Sequence, residues 1–170
     1  MAELKSEVKL MTAGSKMPVK PQLGPAASYA GGCSFGQVRK RLQDAGLRPT
    51  RQRVTLGWLL FARGDRHVTA ERLDDEVRGS KVPMSLATVY NTLHQFSQAG
   101  LLREIALYGS TVWYDTNTGS HYHFYVADKD QLVDIPSDQV AALPLPQAPE
   151  GMEIIGADLI IRVRSTSPQA

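Results

Sequence analysis

His121 and His123 flank Tyr122, two imidazoles one residue apart. In an extended segment side chains alternate between faces, so both rings fall on one side. Two imidazoles on one face can hold a divalent metal ion, although such a pair is also common as plain surface. Asp115 lies a short distance upstream, Asp134 sits in the next apolar segment, and His67 stands apart in the first half of the chain. Mixed nitrogen and oxygen donors suit Fe²⁺ or Mn²⁺, and also Zn²⁺. A small metallohydrolase would need an open metal position and a positioned general base as well. No His-Glu-X-X-His motif is present and Ser120 has no evident base partner, so the chain reads as a binding protein and not an enzyme.

A second chemistry belongs to the segment Ser85 to Phe96. Leu86, Val89, Leu93 and Phe96 recur at helical spacing and are expected to face a core. The opposite face carries Ser85, Thr88, Tyr90, Asn91 and Gln95. Hydroxyl and amide groups near a helix start suit base edges and phosphates in a DNA major groove, and Asn can pair bidentately with adenine. Arg48, Arg51 and Arg53 cluster near an earlier helix start, where they could grip the flanking backbone or minor groove. A polar solvated helix with a stray basic cluster would look similar.

Charge is unevenly spread. Residues 36–105 carry a net +5, residues 106–170 a net −5, and the whole chain of 170 residues a net +2. A basic front and an acidic back suggest a polyanion-binding module joined to one with another task. No apolar run approaches the roughly 18 residues of a membrane span. The start of the chain has no stretch like a signal-peptide core, and Cys33 is the only cysteine. A cytoplasmic protein without internal disulfides is expected.

The elements that must position these residues follow from caps and periodicity. Residues 1–33, with Pro18, Pro21 and Pro25, are expected to form a flexible tail. Ser34 and Gln37 form a capping box for a first helix with Phe35, Val38 and Leu42 inward, stopped at Gly46. Pro49-Thr50 opens a second, ended by Gly64-Asp65, and Thr69 caps a third carrying Leu73 and Val77. Ser85 caps the fourth, which Gly100 ends. Leu101–Tyr108 and Thr111–Thr116 then read as strands joined at Gly109-Ser110. Helices followed by a hairpin describe a winged helix-turn-helix over residues 34–116. Residues 117–170 read as a small α/β unit: strands His121–Val126 and Gln131–Ile135, a short helix Ser137–Leu143, and a long final strand Met152–Arg164. The fold class is α+β. About fifty residues make a poor independent core, so this unit is expected to pair with another chain as a homodimer.

Gly46-Leu47-Arg48-Pro49-Thr50-Arg51-Gln52-Arg53, His67-Val68-Thr69-Ala70-Glu71-Arg72-Leu73, Ser85 to Phe96 and Ala99-Gly100-Leu101 together resemble the DNA-binding half of the ferric uptake regulators. Thr88-Val89-Tyr90 is similar to that family's recognition-helix signature. Asn91 in place of the frequent basic residue resembles the iron response regulators. The resemblance runs from about Val38 to Arg164. It implies an iron-responsive, dimeric regulator of iron-uptake or haem-biosynthesis genes, binding double-stranded operator DNA through Arg48, Arg51, Arg53, Ser85, Thr88, Tyr90 and Asn91. It also implies a regulatory metal held by His67, Asp115, His121, His123 and Asp134, in the aspartate-containing form of the peroxide-sensing branch, which makes peroxide sensing the alternative. His67 would tie the ion to the DNA-binding half, the other ligands belonging to the second unit or its hinge. The Cys-X-X-Cys pairs of the family's structural zinc are missing, the first falling at Val126 and Lys129, so no structural zinc is expected. The family's further histidine-rich site would need ligands at Ser120 and Tyr122. Haem is a further candidate ligand at His121 and His123, whereas a Cys-Pro haem motif is broken by Ser34 after Cys33.

Overall fold

The computed structural model describes residues 33–107, 111–136, 146–154 and 157–166. The expected tail up to residue 32, the turn Gly109-Ser110 and the helix expected at 137–143 lie outside them. Cys33, assigned above to the tail, is instead buried in the first core.

Four helices come first: α1 Phe35–Asp44, α2 Arg51–Phe61, α3 Ala70–Arg78 and α4 Leu86–Gln98. Each begins where a hydroxyl side chain accepts a backbone N–H of the first turn, at Ser34, Thr50, Thr69 and Ser85. At Ser34 the capping box is complete, with Gln37 Oε1 accepting from the Ser34 N–H. α1 ends in a Schellman turn: Leu47 N donates to Leu42 O at 2.8 Å and Gly46 N to Gln43 O at 2.9 Å. Gly46 takes the left-handed backbone, φ 75°, that this turn requires. Val38 and Leu42 of α1, Leu56 and Leu60 of α2, Leu73 of α3, and Val89, Leu93 and Phe96 of α4 are fully buried together. Gly57 lets α1 and α2 close up, since a Cβ there would lie 2.8 Å from Val38 Cγ1. Two apolar residues depart from expectation. Phe35 is exposed and stacks on Trp58, ring centroids 5.2 Å apart, and Leu86, the first residue of α4, is exposed.

Two three-stranded sheets complete the fold. The first is the wing, ordered β1 His67–Thr69, β3 Val112–Asp115, β2 Arg103–Ala106, all antiparallel. Strand β1 is a finding. His67–Thr69 was expected only as the approach to the third helix, and three residues are too few to show alternation. The second sheet is ordered β5 Gln131–Ile135, β4 Tyr122–Val126, β6 Ile160–Val163, with β6 parallel to β4. The long final strand is thus corrected: of Met152–Arg164, only Ile160–Val163 pairs among the described residues. β6 pairs along His123–Val126 of β4, and Met152 is exposed. The architecture is α+β, a winged helix followed by a small second unit.

The two sheets share a core. Ile105 and Trp113 of the wing bury against Leu132 of β5, with Tyr125 and Ile160 packed alongside. Charged groups flank this contact. Arg72 of α3 bonds Asp130 of the β4–β5 turn, and its guanidinium lies 4.7 Å from the Trp113 ring centroid. Arg103 of β2 donates to the carbonyls of Gly119 and His121 at 3.1 and 3.3 Å and pairs with Asp158.

Candidate metal centre and nucleic-acid face

Two cross-strand pairs build the metal candidate. In the wing, His67 lies opposite Asp115. In the second sheet, His123 lies opposite Asp134. His121 stands just before β4, at the end of the turn that follows Asp115. Packing the two sheets brings both pairs and His121 together, so that one donor atom from each of the five residues lies within 4.8 Å of all the others. Every imidazole Nε2 faces both carboxylates. Asp115 Oδ2 is 2.9 Å from His121, 3.4 Å from His123 and 3.5 Å from His67. Asp134 Oδ1 is 3.0 Å from His67, 3.2 Å from His121 and 3.5 Å from His123.

Local hydrogen bonds aim these groups. The His121 Nδ1 lies 2.9 Å from Gly119 O; with its proton on that nitrogen, Nε2 turns its lone pair inward. Asp115 Oδ1 accepts from Asn117 N at 2.8 Å, which leaves Oδ2 for the cluster. Arg66 anchors the start of β1: its N–H donates to Thr116 Oγ1 at 2.8 Å, and its guanidinium pairs with Glu76 of α3. Asn117, Gly119 and Arg66 escaped the sequence reading. The turn Thr116-Asn117-Thr118-Gly119 was the one visible signal, as a segment rich in residues that bond their own backbone.

The electrostatics are those of a cation site. Burial pushes the Asp115 carboxyl up, but hydrogen bonds from His121, His123 and His67 outweigh it and hold the group far below the usual carboxylate range. Asp115 in turn raises the His121 imidazole above its ordinary value, against the opposing effect of burial. His67 Nε2, His121 Nε2 and Asp134 Oδ1 are buried without a well-aligned hydrogen bond, although each lies within ion-pair distance of its neighbours. Orphaned buried donors and acceptors are costly, and a shared divalent ion would satisfy all three. The residues present therefore fit such an ion. Asp115 lies in strand β3 of the wing, within the strand expected at Thr111–Thr116 and paired to His67, so the helical half would contribute two ligands rather than His67 alone.

The candidate nucleic-acid face is assembled by α4 and the start of α2. Ser85, Tyr90 and Asn91 are exposed, Thr88 is half-buried and bonded to Ser85 at 3.0 Å, and Arg48 and Arg51 are exposed. Arg53 differs. Its guanidinium donates to Gln95 Oε1 at 2.8 and 3.1 Å and to Arg48 O at 2.9 Å, bracing α2 against α4.

The chain is thus a winged helix joined to a second sheet through a cluster of three histidines and two aspartates. The sequence model of the ferric uptake regulator family matches residues 44–162, and the chain belongs to that family. It is 31% identical over 103 residues to the ferric uptake regulation protein of Pseudomonas fluorescens, covering 60% of this chain and 84% of that protein. It is 30% identical over 99 residues to the peroxide-responsive repressor PerR of Staphylococcus aureus, covering 58% of this chain and 66% of the repressor. The manganese-containing structure of the ferric uptake regulator from Pseudomonas aeruginosa superimposes with a TM-score of 0.57 at 26% identity, covering 76% of this chain and 98% of that one. No helix among the described residues is long and apolar enough to cross a membrane.

Proposed function

We propose that the chain is an iron-responsive, DNA-binding transcription regulator that acts as a homodimer and stands nearest the iron response regulators, with control of iron-uptake or haem-biosynthesis genes. The observation that carries this reading is the five-residue cluster drawn from both sheets. His67 and Asp115 belong to the wing of the helical half; His123 and Asp134 belong to the second sheet, and His121 to the turn between them. A divalent ion shared by all five, Fe²⁺ or Mn²⁺ before Zn²⁺, would fix the angle between the halves. Such an ion would supply charge that neutralises the buried Asp115 carboxylate and the half-buried Asp134 carboxylate. In a dimer that angle sets the separation of two α4 helices, which must match the spacing of operator half-sites. The apolar outer face of the second sheet, where Val133 and Ile161 are exposed, supports pairing with a second copy. Haem at His121 and His123 would have to pull both rings away from Asp115 and Asp134, so the reading takes a divalent ion as the ligand of this site. The hydrolase alternative gains nothing here, because both carboxylates of the cluster face the imidazoles and neither is left as a general base.

The test is operator affinity titrated separately with Mn²⁺, Fe²⁺ and haem, using a duplex recovered by selection from random DNA. A saturable shift with Mn²⁺ or Fe²⁺ supports the reading; a shift with haem alone overturns it. Peroxide sensing is the second reading, favoured by the two aspartates and by the similarity to a peroxide-responsive repressor. It predicts that Fe²⁺-loaded protein exposed to peroxide gains oxygen on His67 or His121, detectable by peptide mass spectrometry.

A further inference from the structure

Glu71 lies in the first turn of α3, and Tyr90 lies one turn into α4. The helices pack so that the Tyr90 hydroxyl donates to Glu71 Oε1. Both side chains are exposed, and the Tyr90 ring is among the large apolar groups left open to solvent. Glu71 therefore places a carboxylate beside the group of α4 best suited to pack on sugar or a thymine methyl. We propose that Glu71 is a specificity-determining residue, fixing the Tyr90 ring for its base contact while opposing the binding of any other duplex. This inference rests on the reading of α4 as the DNA-contacting helix.

Two physical effects act at one position. A tyrosine held by its hydroxyl has already lost rotational freedom, so less is lost when it docks. A carboxylate facing a surface of phosphates is repelled by every sequence alike. Non-specific binding is almost wholly electrostatic and bears that penalty in full. Specific binding bears it too, but recovers it through the positioned ring, so the difference between the two widens. The charge is stable where it stands. The N-terminal end of α3 favours an anion, and the hydrogen bond from Tyr90 holds Glu71 below its ordinary range.

The test uses the full chain, a selected duplex and a scrambled one, with Glu71→Ala, Glu71→Gln, Tyr90→Phe and the Glu71→Ala/Tyr90→Phe double variant. Glu71→Ala should tighten scrambled DNA about threefold, steepen its salt dependence by about one unit of slope, and weaken the selected duplex about fivefold. Glu71→Gln keeps an acceptor for the hydroxyl, so it should show the non-specific gain without the specific loss. In the Tyr90→Phe background, Glu71→Ala should no longer cost selected-site affinity, an outcome that a merely structural role would not give. The inference is overturned if Glu71→Ala and Glu71→Gln tighten both duplexes equally, or if the specific loss persists without the Tyr90 hydroxyl. Tyr90→Phe and Asn91→Ala separate the two levels. If neither reduces discrimination, α4 is not the reader and both ideas fall; if they do and Glu71→Ala has no effect, only this one falls.

Discussion

Replacing His67 by alanine removes one of the two wing-sheet donors and nothing from the second sheet. The backbone pairing of β1 with β3 is untouched, and the side chain makes no contribution to the helical core, so the fold should survive with a loss of about 1–2 kcal/mol. Four donors remain, and Asp115 still links the ion to the wing. Coupling between two sites in one protein commonly amounts to about 1–3 kcal/mol. If His67 and Asp115 share a coupling of about 2 kcal/mol equally, a metal-induced change of about thirtyfold in operator affinity should fall to about fivefold in His67→Ala. Anisotropy of a labelled operator, with and without saturating Mn²⁺, measures this, and calorimetry confirms that the ion is bound. A variant that keeps the full metal response would refute the bridge. One that binds metal but loses all response would refute the sharing with Asp115.

Metal binding should compete with protons. His121 is held above its ordinary value of 6.5 in the free protein, chiefly by Asp115, so its proton stabilises the metal-free fold below that value and ceases to as pH rises through the raised one. Mn²⁺ affinity should therefore climb as pH rises through that raised value and release protons; a flat profile would count against His121 as a ligand. Asn91→Ala should reduce discrimination between operator and scrambled DNA at a cost of about 1–3 kcal/mol, whereas Arg48→Ala should weaken both and flatten the salt dependence by about one unit. Equal losses in the two duplexes for Asn91→Ala would remove it from base reading. Leu93→Ala, which empties a fully buried position of α4, should lower unfolding free energy by about 2–5 kcal/mol in chemical denaturation. Glu71→Ala should trade specific for non-specific affinity, as argued above.

The local signals in the sequence were the strongest ones. Ser34, Thr50, Thr69 and Ser85 announce helix starts because a hydroxyl there satisfies a backbone N–H that would otherwise lack a partner, whatever the tertiary context. His121 and His123 could be placed on one face because strand alternation is equally local. What needs the other half of the molecule was hidden. Three-residue β1 exists because β3 offers it an edge, whereas Met152–Ile154, equally apolar to the eye, form no strand. Asp115, already legible as a strand residue, turned out to belong with His67 in the wing, a pairing that only β1 on the β3 edge reveals. Arg53 looked like a free cation, since nothing in the sequence brings Gln95 to it across forty-two positions. Arg72 with Asp130 and Arg103 with Asp158 are likewise long-range pairs without a spacing signature.

X-ray absorption on the Fe²⁺-loaded protein tests the central claim most directly, because the ligand atoms of a bridged ion come from both sheets at once. The account predicts a shell of nitrogen and oxygen only, with the outer scattering of three imidazoles, reduced to two in His67→Ala. Sulfur in the shell, or a wild-type spectrum unchanged by His67→Ala, would contradict it.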